Sequence, residues 1–131
     1  MRTLILVALL LGCSQPEGPG SSVTDIEITA PQSGATAPSP ILVEGVAPQD
    51  WYFEAIFDAQ LLDARGAVIA EAPARAQTDW TVPGPVPFVA ELSYTSPTEQ
   101  AGTIVLIADS TGEPAPPRRE TRIPVLLAAT P

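Results

Sequence analysis

The sequence predicts an all-β protein, a two-sheet antiparallel β-sandwich of about seven strands, on three observations. Sixteen Pro and nine Gly interrupt 131 residues too often for long helices and favour short strands joined by turns. Segments in which apolar and polar residues alternate recur at short intervals from Val23 onward, and a period of two marks strands with one face on a core and one in water. An apolar content of 45% in a chain of this length supplies a core for one domain, not two.

The first residues read as an export signal. Met1-Arg2 is a short positive start, and Leu4 to Leu11 form an apolar run. A bilayer span takes ~20 residues, so this run suits a cleaved signal peptide over residues 1–12 instead. Leu10-Leu11-Gly12-Cys13 resembles the lipobox of bacterial lipoproteins. The resemblance implies that Cys13 is diacylated on sulfur and that the signal is cut just before it. One acyl chain holds weakly to a bilayer, whereas two or three anchor stably. Ser14 to Ser22 is rich in Ser, Pro and Gly and has no periodicity, so residues 13–24 read as the acylated Cys and a flexible tether. The folded domain is expected over residues 25–128.

Each strand of that domain has its own pattern. Ile26, Ile28 and Ala30 alternate with Asp25, Glu27 and Thr29, and Pro31 closes the strand. Past the turn signals Ser33-Gly34 and Pro38-Ser39-Pro40, Ile41 and Val43 face inward against Leu42 and Glu44. Residues 51–63 form the central run. Trp51, Phe53, Ala55, Phe57, Ala59 and Leu61 occupy the odd positions, and Tyr52, Glu54, Asp58 and Gln60 lie on the even ones, so one unbroken strand with the odd residues inward is expected. Asp63-Ala64-Arg65-Gly66 is a type I turn sequence leading into a strand from Ala67 to Ala72. The Ala-rich stretch 70–76 is not helical, because Pro73 stands in its middle. Phe88, Ala90, Leu92 and Tyr94 alternate with polar or outward neighbours, and residues 102–108 are apolar on both faces, as in a strand central to its sheet. Pro124 places the last strand, residues 121–127, at an edge or a bulge. This count and spacing fit a sandwich of immunoglobulin type. The single Cys rules out the inter-sheet disulfide, so burial alone must hold the sheets.

A family resemblance rests on an ordered set of segments. Ile28-Thr29-Ala30-Pro31, Ser39 to Ala47, Trp51 to Ala55, Leu61 to Gly66, Asp79-Trp80, Val86-Pro87-Phe88, Asp109 to Gly112 and Ile123-Pro124-Val125 follow one another in sequence. Together they resemble the immunoglobulin-like domain of bacterial spore germination, over roughly residues 25 to 127. The resemblance implies an extracytoplasmic β-sandwich, often carried on lipoproteins, and no catalytic residue. Asp109-Ser110 stands where the family more often has Asn-Pro.

Composition narrows the function. Six Arg and no Lys face fifteen Asp plus Glu, for a formal charge of −9, so neither nucleic acid nor an anionic lipid surface is an expected partner. There is no His, which removes Ser-His and Cys-His pairs, and no Lys for a Schiff base. What remains is paired carboxylates, such as Glu54 with Asp58 on the outward face of the central strand, and a solvated sheet face explains them better. Calcium has oxygen ligands available in Asp109, Ser110 and Glu113, with Asp50 and Asp79 on other loops, but without a calcium-loop spacing. No metal or cofactor is therefore expected. Trp51, Tyr52 and Trp80 would suit an aromatic platform for envelope sugars, with Trp51 the residue best read as core. The expected function is a lipid-anchored, non-catalytic binding or assembly module of the bacterial envelope. It is exported, held to a cell or outer membrane through Cys13, and presents Tyr52, Glu54, Asp79 and Trp80 as its candidate binding surface. Its expected partner is an envelope protein, with peptidoglycan as the alternative.

Overall fold

Alternation along each strand sorts the side chains into a dry interior and a wet surface. The computed structural model describes residues 26–111, 114 and 117–131; Cys13, the tether and Glu113 lie outside them. The strands are β1 (Glu27–Ala30), β2 (Thr36–Ala37), β3 (Ile41–Pro48), β4 (Ile56–Leu62), β5 (Val68–Ala76), β6 (Pro85–Leu92), β7 (Gln100–Ile107) and β8 (Glu120–Leu127). Ile41, Val43 and Ala47 of β3 are buried, as are Val86, Phe88, Ala90 and Leu92 of β6. Phe57, Ala59 and Leu61 of β4 meet them from the other layer, with Ile104 and Leu106 of β7 and Ile123, Val125 and Leu127 of β8.

The strands join in the order β1-β3-β6-β5-β4-β7-β8-β2, curled into the two layers of an immunoglobulin-like sandwich. One layer is β1, β3 and β6; the other is β5, β4, β7, β8 and β2. β5 pairs with β4 along its length but reaches β6 only at Arg75 and Ala76. That is eight strands instead of about seven. The extra one, β2, pairs parallel with β8 at Leu126 and Leu127, so the sandwich is not wholly antiparallel. The hairpin at Asp63–Gly66 forms as its sequence predicts: the Gly66 N–H donates to the Asp63 carbonyl at 2.9 Å, and Gly66 takes φ +86°. The Ala-rich stretch lies in β5 as strand. β7, between β4 and β8, is the central strand expected of residues apolar on both faces. Pro124 sits where β8 is an outer strand, and its carbonyl accepts the Gly34 N–H at 2.7 Å.

Within the β1-β3-β6 layer the strands crowd together at Gly45. A Cβ there would run into the Glu27 carbonyl and the Phe88 ring, so only glycine lets β1, β3 and the core aromatic pack together. At the far end of the sandwich the Tyr94 hydroxyl donates to the Ala37 carbonyl at 2.7 Å and accepts the Ala128 N–H at 2.9 Å. No helix among the described residues is long and apolar enough to cross a membrane.

The central run differs from its expected form. Gln49–Trp51 is a short 3-10 turn, Phe53 to Ile56 a tight reversal, and the strand begins only at Ile56. Trp51 is buried all the same, 2% exposed, with its ring edge-on to Phe57 at 5.3 Å. Trp80 is partly covered and packs on the rim of the core. Truncating Trp51 to Ala should therefore cost about 3–5 kcal/mol, from lost burial plus a cavity. The same change at Trp80 should cost about 1–2 kcal/mol. Urea melts of the two single variants measure the difference, and a milder effect at Trp51 would overturn the packing described.

Candidate functional site

The loop residues 49–55, 77–84, 108–111 and 117–119 gather at one end of the sandwich. The Ala76 N–H donates to the Ala55 carbonyl at 2.8 Å, and the Asp109 N–H to the Trp51 carbonyl at 2.9 Å. β1 also starts at this end, since Glu27 pairs with Val46 near the end of β3.

The reversal before β4 shapes the site. Phe53 donates its N–H to the Ile56 carbonyl at 2.9 Å, and Ile56 returns the bond at 3.2 Å. Between them Glu54 and Ala55 take φ of 52° and 71°. Two successive left-handed residues make a type I′ hairpin turn, normally the work of Asn-Gly. In residues with a Cβ each such conformation costs about 1–2 kcal/mol. The surroundings impose it. Tyr52 is buried just before the turn, and its hydroxyl donates to the Val86 carbonyl at 2.7 Å. Phe57 is buried just after it, and the Ala55 carbonyl is held by Ala76. Along with Glu54, the turn leaves two apolar side chains outside: Phe53 is 47% exposed and Ile56 37%.

Beside these two side chains lies a groove of about 770 Å³, whose lining includes Phe53, Glu54, Ile56, Asp58, Glu71, Pro73, Arg75 and Asp109. Its acids form a pair across β4 and β5. The Gln60 side-chain amide donates to Asp58 at 3.4 Å and to Glu71 at 3.3 Å, bridging the two carboxylates. Partial burial, then the hydrogen bond and like charge of Glu71, push the Asp58 carboxyl up to about 6 from its ordinary 3.8. This corrects the pairing expected of Glu54 with Asp58, because the turn carries Glu54 off the strand. The chain has no His, so Asp58 titrates in a range where few other side chains do.

The residues expected to bind are not brought onto one surface. Tyr52 is 4% exposed and is corrected from surface to core; burial also holds its phenol above the usual range. The chain turns inward at Trp51 and does not lie flat until Ile56, so the parity of an unbroken strand fails. Phe53 and Ala55, expected inward, are exposed and half-buried for the same reason. Glu54 is exposed and lines the groove. Asp79 is exposed, but its carboxylate accepts the Thr81 hydroxyl and the Thr81 N–H, which hold it below the usual range. Asp79 and Trp80 thus build the 77–84 loop, away from the groove. An aromatic platform of Trp51, Tyr52 and Trp80 does not exist, because the first two rings are inside.

The acids considered for calcium are mostly occupied elsewhere. Asp109 accepts from Thr111 as Asp79 does from Thr81. Asp50 pairs with Arg119, whose Nη1 lies 3.2 Å from Oδ2 and whose guanidinium sits 5.9 Å above the Trp51 ring. Among the described residues no group of three or more His, Cys, Asp or Glu side chains is placed to hold a metal ion.

The residues that sequence reasoning missed are Phe53, Ile56 and Glu71. The one trace of them was Ile56, an apolar side chain at an even position, where the alternation of the central run slips.

An immunoglobulin-like sandwich with an apolar and acidic groove at its loop end is the class of protein these elements define. A family model described as the immunoglobulin-like domain of bacterial spore germination matches residues 25–113, more than half of the chain, and the chain belongs to that family. No curated protein matches it. Among solved structures, a chain from the crystal structure of Dpr1 IG1 bound to DIP-eta IG1 is 10% identical, over 84% of this chain and 100% of that one, at a TM-score of 0.35. A score that low adds nothing to the description of the fold.

The acid pair makes a prediction about pH. The folded pKa of Asp58 lies above its unfolded value, so its protonated form is the one the fold favours. Stability from this group is fully present below about pH 4 and is lost as the pH rises through about 6. After allowance for solvent screening the loss is about 1–2 kcal/mol. Asp58→Asn should therefore stabilise the protein at pH 7.5 and leave it nearly unchanged at about pH 3.5, below the unfolded pKa, by urea melts at both values. An equal effect at the two would mean that the pair is not the cause.

Proposed function

We propose that this chain is a non-catalytic protein-binding module of the bacterial envelope, held at a membrane by lipid on Cys13. The observation that carries the reading is Phe53 and Ile56, kept half out of the protein on a turn that the core pins on both sides. A rigid, exposed aromatic ring loses little freedom on binding, and such rings anchor protein interfaces. An immunoglobulin-like family is in keeping with binding, and the absence of His and Lys removes the usual nucleophile and Schiff-base arrangements. With Trp51 and Tyr52 buried, the peptidoglycan alternative lacks the stacked rings it needs.

Two measurements test the reading. Cys13→Ala should move the protein from the membrane to the soluble fraction and remove the mass added by acyl chains; an unchanged membrane fraction would sink the anchor. Phe53→Ala should keep the wild-type melting curve, since its ring is exposed, yet lose the protein captured by crosslinking in intact envelopes. Capture that is indifferent to Phe53, or retention on purified peptidoglycan instead, would overturn the protein-binding reading.

A further inference from the structure

The ladder comes apart between β5 and β6, and the gap is bounded by two free strand edges. β5 has no strand partner on its outer side from Val68 to Ala74, and β6 none on its β5 side from Ala90 to Leu92, among the described residues. The comparable edge at β8 is partly covered, because Gly34 and Ala35 bond to it and β2 pairs with its last two residues. An open edge is a row of unpaired amides and carbonyls, ready to add a strand.

This edge lies between two hollows. On one side is the groove with Phe53 and Ile56, where Glu54, Asp58, Glu71 and Asp109 stand against the single Arg75. On the other a smaller hollow of about 430 Å³ runs along the gap, where Leu42, Ala72, Pro73 and Val89 are joined at the sides by Arg75, Gln77 and Glu91, with Leu42 49% exposed. A strand laid along β5 would put alternate side chains into the two hollows. One set would meet carboxylates, and the other Leu42, Ala72 and Val89 between the polar side chains of the gap. Positions directly opposite across two strands stand about 5 Å apart at Cβ, so a cation facing Glu71 is within ion-pair reach.

We infer that the free edge of β5 captures an extended segment of another protein, in which Lys or Arg alternates with β-branched apolar residues. The inference rests on the protein-binding reading and names its partner chemistry. A second copy of this chain is a poor occupant: it would bring Glu71 to an edge already acidic, and the formal charge of −9 repels it.

The probe is a capped hexapeptide alternating Val and Lys, titrated into the full-length chain by calorimetry and amide NMR, with a Val-Glu hexapeptide as control. The Val-Lys peptide should bind at least tenfold more tightly, shift the amides of β5 between residues 68 and 74, and protect those that face the free edge. Glu71→Lys, an exposed change that keeps the fold and raises the melting midpoint by removing the like charge beside Asp58, should weaken Val-Lys binding at least tenfold and improve Val-Glu binding. Two further peptides, N-methylated on every Val or on every Lys, separate strand pairing from simple charge attraction. One of them should lose binding and the other keep it. Equal binding by both, shifts outside β5 and its two hollows, or self-association of the chain without peptide would overturn the inference. If Phe53→Ala abolishes envelope capture while Glu71→Lys does not, the protein-binding reading stands and the β5 edge is not its route.

Discussion

Phe57 meets three other rings, and through them one side chain ties both layers to the loop end. Tyr52 stands edge-on to it at 5.1 Å, Trp51 at 5.3 Å and Phe88 at 5.0 Å. Phe88 belongs to β6 in the opposite layer, so the Phe57–Phe88 contact crosses the sandwich. Trp51 and Tyr52 come from the connection between β3 and β4. Edge-to-face pairs of this kind add about 0.5–1.5 kcal/mol each beyond the area they bury. With a single cysteine in the chain, no internal disulfide shares the task.

The exposed site follows from that buried one. Because Trp51 and Tyr52 both turn inward to reach Phe57, the chain has only Phe53 to Ile56 in which to reverse and enter β4. The reversal therefore falls on Glu54 and Ala55, two residues poorly suited to it, and it leaves Phe53 and Ile56 in water. A few residues away, Asp58 is partly buried beside Glu71, a second unfavourable placement. Strained backbone, exposed apolar surface and opposed like charges each lower stability, and here they stand within one groove. Locally inconsistent choices collected in one place are what a functional site looks like when the rest of a fold is consistent.

The strands were legible in the sequence wherever a segment alternates and ends in a turn residue. β3, β6, β7 and the Asp63–Gly66 hairpin behave as their patterns say, because burial of one face and the φ of Gly66 are local requirements. Pro73 and Pro124 fell on outer strands for an equally local reason, the missing N–H. The groove was not legible. Its turn contains no Gly, Asn or Pro, and Trp51, Phe57, Ala59 and Leu61 keep the parity of one strand through it by coincidence of length.

The sequence by itself determined the fold class, the acidic surface and the family, since each depends on composition, periodicity or short motifs in order. Only the tertiary structure decided which aromatics are inside and which carboxylates meet. Tyr52 is buried because Phe57 and the Val86 carbonyl receive it, and Val86 is 34 residues away along the chain. Asp58 finds Glu71 through the register of β4 on β5, where Gln60 pairs with Glu71. Such placements depend on which strands become neighbours, and no local pattern carries that information.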